Sequence, residues 1–344
     1  MAVIIYPPTL PWRDAVAHQP QLLLTALART GIPSVFCEDT VRQSDPAFER
    51  LARMLFVCRN PGELTGICDY ARATFQPLVL LYSHAPHAVL ARTIGADVSV
   101  FLYLDESVDE FALMSEPTRI ALQQADLVIT VSQRMNSRLP VQPHRSIVLR
   151  NAVDPDRFTP RSADTVRPPE LRPLTGPIVG FHGSLQSWVD QNLVAELARR
   201  RPDWNLVIVG PVYVPVHRLR LPNIHLLGAR PFEEVPNYVR CFDTGLIPFE
   251  VRHMTDSCSP IKMYEYMAAE VPVVATAISE CLITPGVRVG RSVDEFEAQV
   301  EGALRAPPVH RVQLRKYALE NTWLVRAKQL YQQIEVILRE KGLG

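Results

Sequence analysis

Short apolar runs, each followed by a helical or turn segment, recur along almost the whole chain and limit what it can fold into. The runs are rich in Val, Ile and Leu, which is typical of parallel strands buried on both faces. Strands are predicted near residues 3–6, 35–37, 54–57, 78–82, 98–104, 127–131, 147–149, 178–184, 206–210, 224–228, 244–247 and 273–276. Helices are predicted near 20–29, after 61, and near 116–124, 190–200, 232–241, 259–269, 294–305 and 312–339. This alternation predicts an α/β fold with mostly parallel sheets covered by helices on both faces.

A proline-rich stretch divides the pattern into two sets. Six prolines crowd the segment 154–177, and the alternation restarts directly after it. A chain of 344 residues is also too long for one ordinary core. We therefore predict two doubly wound, Rossmann-like domains at 1–160 and 177–310, a proline-rich linker at 161–176, and C-terminal helices at 311–344.

Composition excludes several classes of function. Lys+Arg and Asp+Glu number 36 each, so no global field favours nucleic acid or anionic lipid. The apolar runs are strand-sized, which predicts no transmembrane helix, and the N-terminus lacks the basic region of a signal peptide. The six cysteines are scattered without a CxxC pair, which indicates reduced thiols in a cytoplasmic protein and neither a zinc site nor a disulfide framework.

The segment 258–269 carries the clearest candidate binding site. Ser259 is predicted to cap a short helix with Pro260 at its first position, followed by Ile261. A helix N-terminus suits phosphate, and Lys262 in the first turn could meet the same anion. Glu265 follows one turn later, where a carboxylate could accept hydrogen bonds from ribose hydroxyls.

The same segment has an alternative interpretation without a binding site. Lys and Glu three residues apart often form only a solvated surface pair. The setting favours a site, because the chain has only four lysines and Lys262 is the one outside the C-terminal tail. It also lies in a segment that is otherwise apolar enough to be buried.

The order of motifs in the second half resembles a known family. The motifs are Gly-Phe-His-Gly-Ser at 180–184, followed by segments 203–211, 221–228, 243–249 and 259–266. Together they resemble the donor-binding domain of GT-B glycosyltransferases, especially the bacterial glycosyltransferase group 1 type. The resemblance is strong over about 175–280. It is weaker over the first half, where segments 125–132 and 151–158 are similar to the end of the family's acceptor domain.

The resemblance implies a function and a set of ligands. It implies two domains facing across a cleft, with the acceptor bound by the first and the donor by the second, and tail helices that pack back toward the first. The activity implied is transfer of a hexosyl-type sugar from a nucleotide-diphosphate sugar to a hydroxyl of a glycan, a lipid-linked or a small-molecule acceptor, as in polysaccharide biosynthesis. Helix N-termini and Lys262 can stabilise the leaving diphosphate, so neither a metal nor another cofactor is expected. The donor-binding residues implied are Gly183, Ser184, Gly228, Arg230, Ser259, Pro260, Ile261, Lys262 and Glu265.

Two positions depart from the family pattern. Many retaining members have a glutamate eight residues before the ribose glutamate, whereas this chain has Ser257, which leaves the retaining or inverting outcome open. The family usually has Gly where this chain has Glu270, so a turn with positive φ there would carry strain. The loop at 228–230 resembles the segment whose backbone contacts the nucleobase, so we expect the backbone of Arg230 to matter more than its side chain.

Candidates for the general base follow strands of the first half. Ligands of open α/β sheets bind beyond the carboxyl ends of the strands. Asp105 follows the strand near 98–104, and His84 follows the strand before it. Both groups can accept a proton from an acceptor hydroxyl, and Asp105 ranks ahead because the family often has an acidic residue there. If neither is the base, the loop from Trp12 to His18 is the next candidate.

Two other classes of function stay open. A sugar-nucleotide epimerase on the same fold would use the nucleotide site without a second substrate. A catalytically inactive sugar-nucleotide-binding or partner subunit would keep the architecture without chemistry. The sequence predicts no nucleic-acid partner, allows a peripheral membrane contact, and does not determine the donor sugar, the nucleobase, the acceptor or the oligomeric state.

Overall fold

The computed structural model describes residues 1–12, 18–39 and 47–343, and its contacts divide the chain into two compact units. Unit 2 is Asn151–Thr322 apart from a few residues outside the described ranges. Unit 1 consists of the described residues up to Arg150 together with those from Trp323 onward. The predicted α/β class with two mostly parallel sheets is confirmed.

Unit 1 contains an eight-stranded sheet in the order β3-β4-β2-β1-β5-β6-β7-β8. Its central strands are buried along their whole length, as continuous apolar runs predict for a parallel sheet. The strands are β1 Val3–Tyr6, β2 Ser34–Cys37, β3 Phe48–Ala52, β4 Leu55–Cys58, β5 Leu78–Tyr82, β6 Val98–Tyr103, β7 Leu127–Thr130 and β8 Ser146–Val148. The edge strand β3 runs antiparallel to β4 and was missed in the sequence, because its half-exposed segment carries Glu49 and Arg50.

The helices of unit 1 include the C-terminal helix of the chain. They are α1 Gln19–Arg29, α2 Leu64–Thr74, α3 Leu90–Thr93, α4 Ser115–Gln124, α5 Gln133–Ser137 and α13 Trp323–Glu340. Helix α13 packs against α1, and its end is tied to the sheet by the ion pairs Arg145–Glu340 (2.9 Å) and Lys341–Asp126 (2.6 Å). Among the described residues, no helix combines the length and the apolar character that crossing a membrane requires.

Unit 2 contains a six-stranded parallel sheet in the order β11-β10-β9-β12-β13-β14. The strands are β9 Ile178–His182, β10 Asn205–Val209, β11 Ile224–Gly228, β12 Thr244–Ile247, β13 Val273–Thr276 and β14 Arg288–Gly290. The helices are α6 Gln191–Arg200, α7 Val235–Val239, α8 His253–Ser257, α9 Ile261–Ala268, α10 Ser279–Ile283, α11 Val293–Leu304 and α12 Pro308–Glu320. One continuous core of apolar side chains surrounds this sheet.

The long helix predicted at 312–339 is wrong, because the structure has two helices there. Helix α12 ends at Glu320 and packs on α9 in unit 2, where the rings of Tyr317 and Tyr264 stack at 6.4 Å. Asn321 then accepts a hydrogen bond from the backbone N–H of Val153 (3.2 Å), and α13 starts at Trp323 in unit 1. The C-terminal helices are therefore shared between the two units.

The proline-rich stretch lies within unit 2 and does not act as a spacer. Phe158 and Leu171 are buried in the core of that unit. The guanidinium of Arg161 donates to the carbonyl groups of Arg240 (3.0 Å) and Cys241 (2.8 Å). These contacts place the boundary between the units at residue 151, earlier than the predicted linker at 161–176.

Each sheet has one point where the chain order of its strands reverses. In unit 1, β1 lies between β2 and β5, and in unit 2, β9 lies between β10 and β12. Strands that diverge in this way leave a crevice outside their carboxyl ends, where open α/β sheets bind ligands. The fold therefore indicates one candidate site on each unit.

The turn after α9 contains a residue in a strained backbone conformation. Glu270 has φ +60°, as the comparison with the family's glycine predicted. The N–H of Val271 donates to the carbonyl of Tyr266 (2.9 Å) and the N–H of Glu270 to that of Met267 (3.0 Å), which is the pattern of a Schellman helix end. A side chain with a Cβ carries a cost in this conformation that glycine avoids.

We predict that Glu270→Gly raises the free energy of unfolding by roughly 0.5–1 kcal/mol, since relief of the left-handed strain exceeds the entropy that glycine adds to the unfolded chain. Urea denaturation measures the change. The matched control is Glu335→Gly, at an exposed position inside α13, which should lower stability by about 1 kcal/mol. A loss of stability in Glu270→Gly would show that the turn is not strained.

Candidate functional site

Lys262 lies at the strand-order reversal of unit 2. Its ammonium is 5.4 Å from the ring centre of Phe181 on β9 and 4.7 Å from that of Phe249, which follows β12. The first turn of α9 thus brings a cation to the crevice between β9 and β12. Two aromatic rings hold the cation there by cation–π contact.

The environment of Lys262 removes part of the water that would otherwise surround its ammonium. The side chain is half-buried, and desolvation lowers the pKa of the ammonium below its ordinary value, against an opposing effect of the Glu265 carboxylate. A cation that has lost part of its hydration gains more from an incoming anion than a fully hydrated one. The arrangement suits a phosphate group, as the sequence predicted for this helix.

Gly183 lies beside Lys262 and serves the site in a different way from the prediction. Its N–H donates to the carbonyl of Val209 (2.9 Å), so this group does not point at a bound diphosphate. Its φ is +121°, and a Cβ there would lie 3.2 Å from Cε of Lys262. The glycine is needed for its backbone conformation and for the space that Lys262 occupies. Ser184, half-buried in the same turn, stays a predicted ligand of the donor.

The prediction that Ser259 caps α9 is wrong. The helix begins at Ile261 with Pro260 as its N-cap residue, and no side chain caps it. The hydroxyl of the buried Ser259 accepts from the backbone N–H of Asn151 (3.2 Å), and its carbonyl accepts from the amide of the same residue (2.5 Å). Asn151 therefore draws Ser259 away from the helix end and anchors the loop that leads into α9. The roles of Pro260 and Ile261 at the phosphate stay predictions.

Glu265 faces the end of β9, where it meets a histidine that the sequence analysis did not assign. Nε2 of His182 is 3.0 Å from Oε2 of Glu265, and both side chains are less than one-tenth exposed. The only signal in the sequence was the position of His182 between Phe181 and Gly183 at the end of a predicted strand. Lys262 and Glu265 both reach the carboxyl end of β9, and the structure therefore brings the two principal predicted residues together.

The side chain of Arg230, in the loop after β11, makes contacts within the protein. The guanidinium of Arg230 binds Glu170 (2.7 Å) and the hydroxyl of Tyr238 (2.9 Å), so it is engaged within unit 2. Gly228 has φ +73°, and its carbonyl accepts from the N–H of Gly210 (2.9 Å). The contact of a nucleobase with backbone atoms of this loop stays a prediction.

The position of the missing family glutamate is buried. Ser257 is fully buried at the end of α8. The preceding Asp256 accepts hydrogen bonds from the N–H (3.1 Å) and hydroxyl (2.6 Å) of Ser279, so its carboxylate orients α10. No group of three or more His, Cys, Asp or Glu side chains in the described part of the chain is arranged to hold a metal ion.

The predicted general-base candidates share one recess of unit 1. The recess has a volume of about 180 Å³ and is lined by both His84 and Asp105. It lies next to the reversal between β1 and β5, where the hydroxyls of Tyr6 and Ser83 are 2.6 Å apart. The rings of His84 and His87 meet edge to face at 5.0 Å. Of the predicted loop from Trp12 to His18, residues 13–17 lie outside the described residues.

Asp105 is poised to take up a proton. Its carboxyl group has access to solvent, but the surrounding protein removes enough of its hydration to raise its pKa to about 6, against a smaller opposing effect of His18. A carboxylate with a raised pKa is a stronger base than an ordinary one and is still ionised at neutral pH. Position and basicity therefore both suit the predicted role.

Comparison with known proteins finds similarity to glycosyltransferases. Residues 176–305 match the family described as Glycosyl transferases group 1. TuaH of Bacillus subtilis (strain 168), named as a teichuronic acid biosynthesis glycosyltransferase, is 28% identical over 166 residues, which are 45% of this chain and 41% of that protein. The chain thus spans less than half the length of this relative.

Two solved structures share the whole fold. Sucrose-phosphate synthase from Thermosynechococcus elongatus has a TM-score of 0.75 and 16% identity, with 98% of this chain and 100% of that chain covered. Anabaena HepE in complex with UDP and glucose has a TM-score of 0.71 and 14% identity, with the same coverage. The chain has the GT-B fold, as the order of motifs implied, and its segment 176–305 matches the glycosyl transferases group 1 family.

Proposed function

We propose that this chain is a glycosyltransferase that moves a sugar from a nucleotide-diphosphate sugar to an acceptor hydroxyl. The observation that carries the proposal is the half-buried ammonium of Lys262 at the reversal point of unit 2, one helical turn from the buried carboxylate of Glu265. This pair lies within the segment that matches the glycosyl transferases group 1 family. In the proposal Lys262 binds the diphosphate and Glu265 the ribose.

The chemistry assigned to unit 2 is stabilisation of the leaving group. As the bond to the sugar breaks, negative charge grows on the diphosphate while the sugar becomes oxocarbenium-like. The ammonium of Lys262 and the N-terminal end of α9 are fixed before the reaction, so they stabilise this charge without reorganisation. We propose on this ground that transfer proceeds without a metal, which predicts activity in the presence of a chelator.

The donor and acceptor classes follow from the relatives. HepE is similar in fold and its structure contains UDP and glucose, so UDP-hexoses are the first donors to test. TuaH is named for the synthesis of a polysaccharide, so we propose a growing glycan or a lipid-linked glycan as acceptor. The cysteines are free thiols, five of them buried, which supports a reducing compartment such as the cytoplasm.

Unit 1 is proposed to supply the general base. Asp105 and His84 line the same recess, and the acceptor hydroxyl must lose a proton to one of them. The raised pKa of Asp105 makes it the better candidate. His84 stays the alternative base in the same recess.

The test of the donor site uses Lys262→Met. Loss of a charge-assisted contact of about 1.5–3 kcal/mol should weaken the binding of UDP, GDP or dTDP, whichever the chain binds, by ten- to hundredfold and should slow sugar transfer. The melting temperature should stay equal or rise, because the lowered pKa shows that the folded protein disfavours the charged ammonium at neutral pH. Isothermal titration, a transfer assay and a thermal melt measure the three effects.

The matched control for this test is Lys328→Met, which removes an exposed lysine of α13 and should change none of the three quantities. Wild-type protein that binds no nucleoside diphosphate, or a Lys262→Met variant that binds as tightly as wild type, would contradict the proposed donor site.

The test of the base is the pH dependence of transfer. A base with a pKa of about 6 is ionised above that pH, so kcat/KM should fall as the pH drops below about 6. Asp105→Asn should abolish this acid limb and lower turnover by about 10²- to 10⁴-fold with donor affinity intact. His84→Ala is the control from the same recess. If His84→Ala loses the acid limb of the pH profile and Asp105→Asn keeps it, His84 is the base.

A further inference from the structure

The contact between His182 and Glu265 is the least expected feature of the donor site. The carboxylate of Glu265 and the imidazole of His182 are both less than one-tenth exposed, and Nε2 lies 3.0 Å from Oε2. Removing a carboxylate from water costs free energy unless a donor compensates it. The imidazole of His182 contacts this carboxylate from the strand that ends at the reversal point of the sheet.

The imidazole of His182 is held from two sides. Its ring stacks on Phe158 at 6.2 Å with an interplanar angle of 27° and meets the ring of Tyr266 edge to face at 5.1 Å. Its backbone N–H donates to the hydroxyl of Tyr266 (3.1 Å), which in turn donates to the carbonyl of Leu246 on β12 (3.3 Å). The rings of Phe158 and Tyr266 therefore restrict the orientation of the imidazole, and the hydroxyl of Tyr266 ties α9 to β9 and β12.

The alignment of the contact leaves the carboxylate some freedom. Although the two atoms are 3.0 Å apart, the N–H of Nε2 does not point along the line to Oε2, and the geometry of a hydrogen bond is not met. A hydrogen bond between these two atoms would fix which way the remaining lone pairs of Glu265 face, because a carboxylate accepts several hydrogen bonds in defined directions.

We propose that His182 is a positioning residue that orients the Glu265 carboxylate toward the ribose hydroxyls, and that the pair makes the site selective for ribonucleotide over 2′-deoxyribonucleotide donors. The inference rests on the proposed function, since it takes Glu265 as the ribose ligand. A buried carboxylate built to accept a hydroxyl loses that partner when the 2′-hydroxyl is missing, and such a loss discriminates strongly. The donor class assigned is therefore a UDP- or GDP-type sugar, and dTDP sugars should bind more weakly.

The experiment compares the affinities for UDP and 2′-deoxy-UDP, or for GDP and 2′-deoxy-GDP if the wild type binds GDP. Wild type should prefer the ribonucleotide by about ten- to hundredfold. In His182→Ala the preference should fall below about threefold, with little change in affinity for the deoxynucleotide. His182→Gln keeps an N–H donor at a similar reach and should retain a larger part of the preference than His182→Ala.

The control separates positioning from general damage to the site. Lys262→Met should weaken both nucleotides by the same factor and leave the ribonucleotide preference unchanged, because it acts on the diphosphate. Circular dichroism checks the fold of each variant. If His182→Ala does not fold, His182→Gln together with Glu265→Gln decides, since Glu265→Gln should also reduce the preference.

The outcomes distinguish this inference from the function on which it rests. A wild type that binds no nucleoside diphosphate contradicts the proposed function itself. A wild type that binds UDP and 2′-deoxy-UDP equally, or a His182→Ala variant that keeps the full preference, overturns the role of His182 and leaves nucleotide binding standing.

Discussion

The half-buried ammonium of Lys262 is the interaction on which the candidate donor site depends. Burial removes water from the cation, which costs free energy. Cation–π contacts with Phe181 and Phe249 offset part of this cost, and the pKa of the ammonium is still lowered. The carboxylate of Glu265 also favours the charged form. A bound diphosphate would offset the rest of the desolvation cost. The site is therefore organised for an anion before the anion binds.

The surroundings of Lys262 are organised to keep it in place. Gly183 leaves room for its side chain, and Asn151 anchors the loop that precedes α9 through Ser259. At the other end, the α9 turn closes with Glu270 at φ +60°. The strain at Glu270 is a local cost that the packing of α9 between the sheet and α12 tolerates.

The size of a cavity does not identify the site in this protein. The recess of unit 2 with a volume of about 510 Å³ is lined by residues of α6 and α11 such as Glu196 and Phe296, and neither Lys262 nor Glu265 lines it. That recess combines carboxylates with Arg199 and Arg291 on its walls. The reversal point of the strands and the perturbed lysine are the stronger criteria, because they combine topology with electrostatics.

The fold was largely readable from the sequence, whereas the partners of individual polar groups were not. Buried parallel strands leave continuous apolar runs, and the two sheets followed from them, but the half-exposed edge strand β3 left no such signal. The positions of Lys262 and Glu265 on α9 were predicted from helix spacing alone. The capture of Ser259 by Asn151, 108 residues away, and the contact of His182 with Glu265 are tertiary, and local sequence rules do not encode them.

The most direct test of the account is a crystal structure of the protein with the nucleoside diphosphate that it binds most tightly. The account predicts diphosphate oxygens within hydrogen-bond distance of the Lys262 ammonium and ribose hydroxyls on the carboxylate of Glu265. A nucleotide bound elsewhere, for example in the recess lined by Glu196 and Arg291, would contradict it.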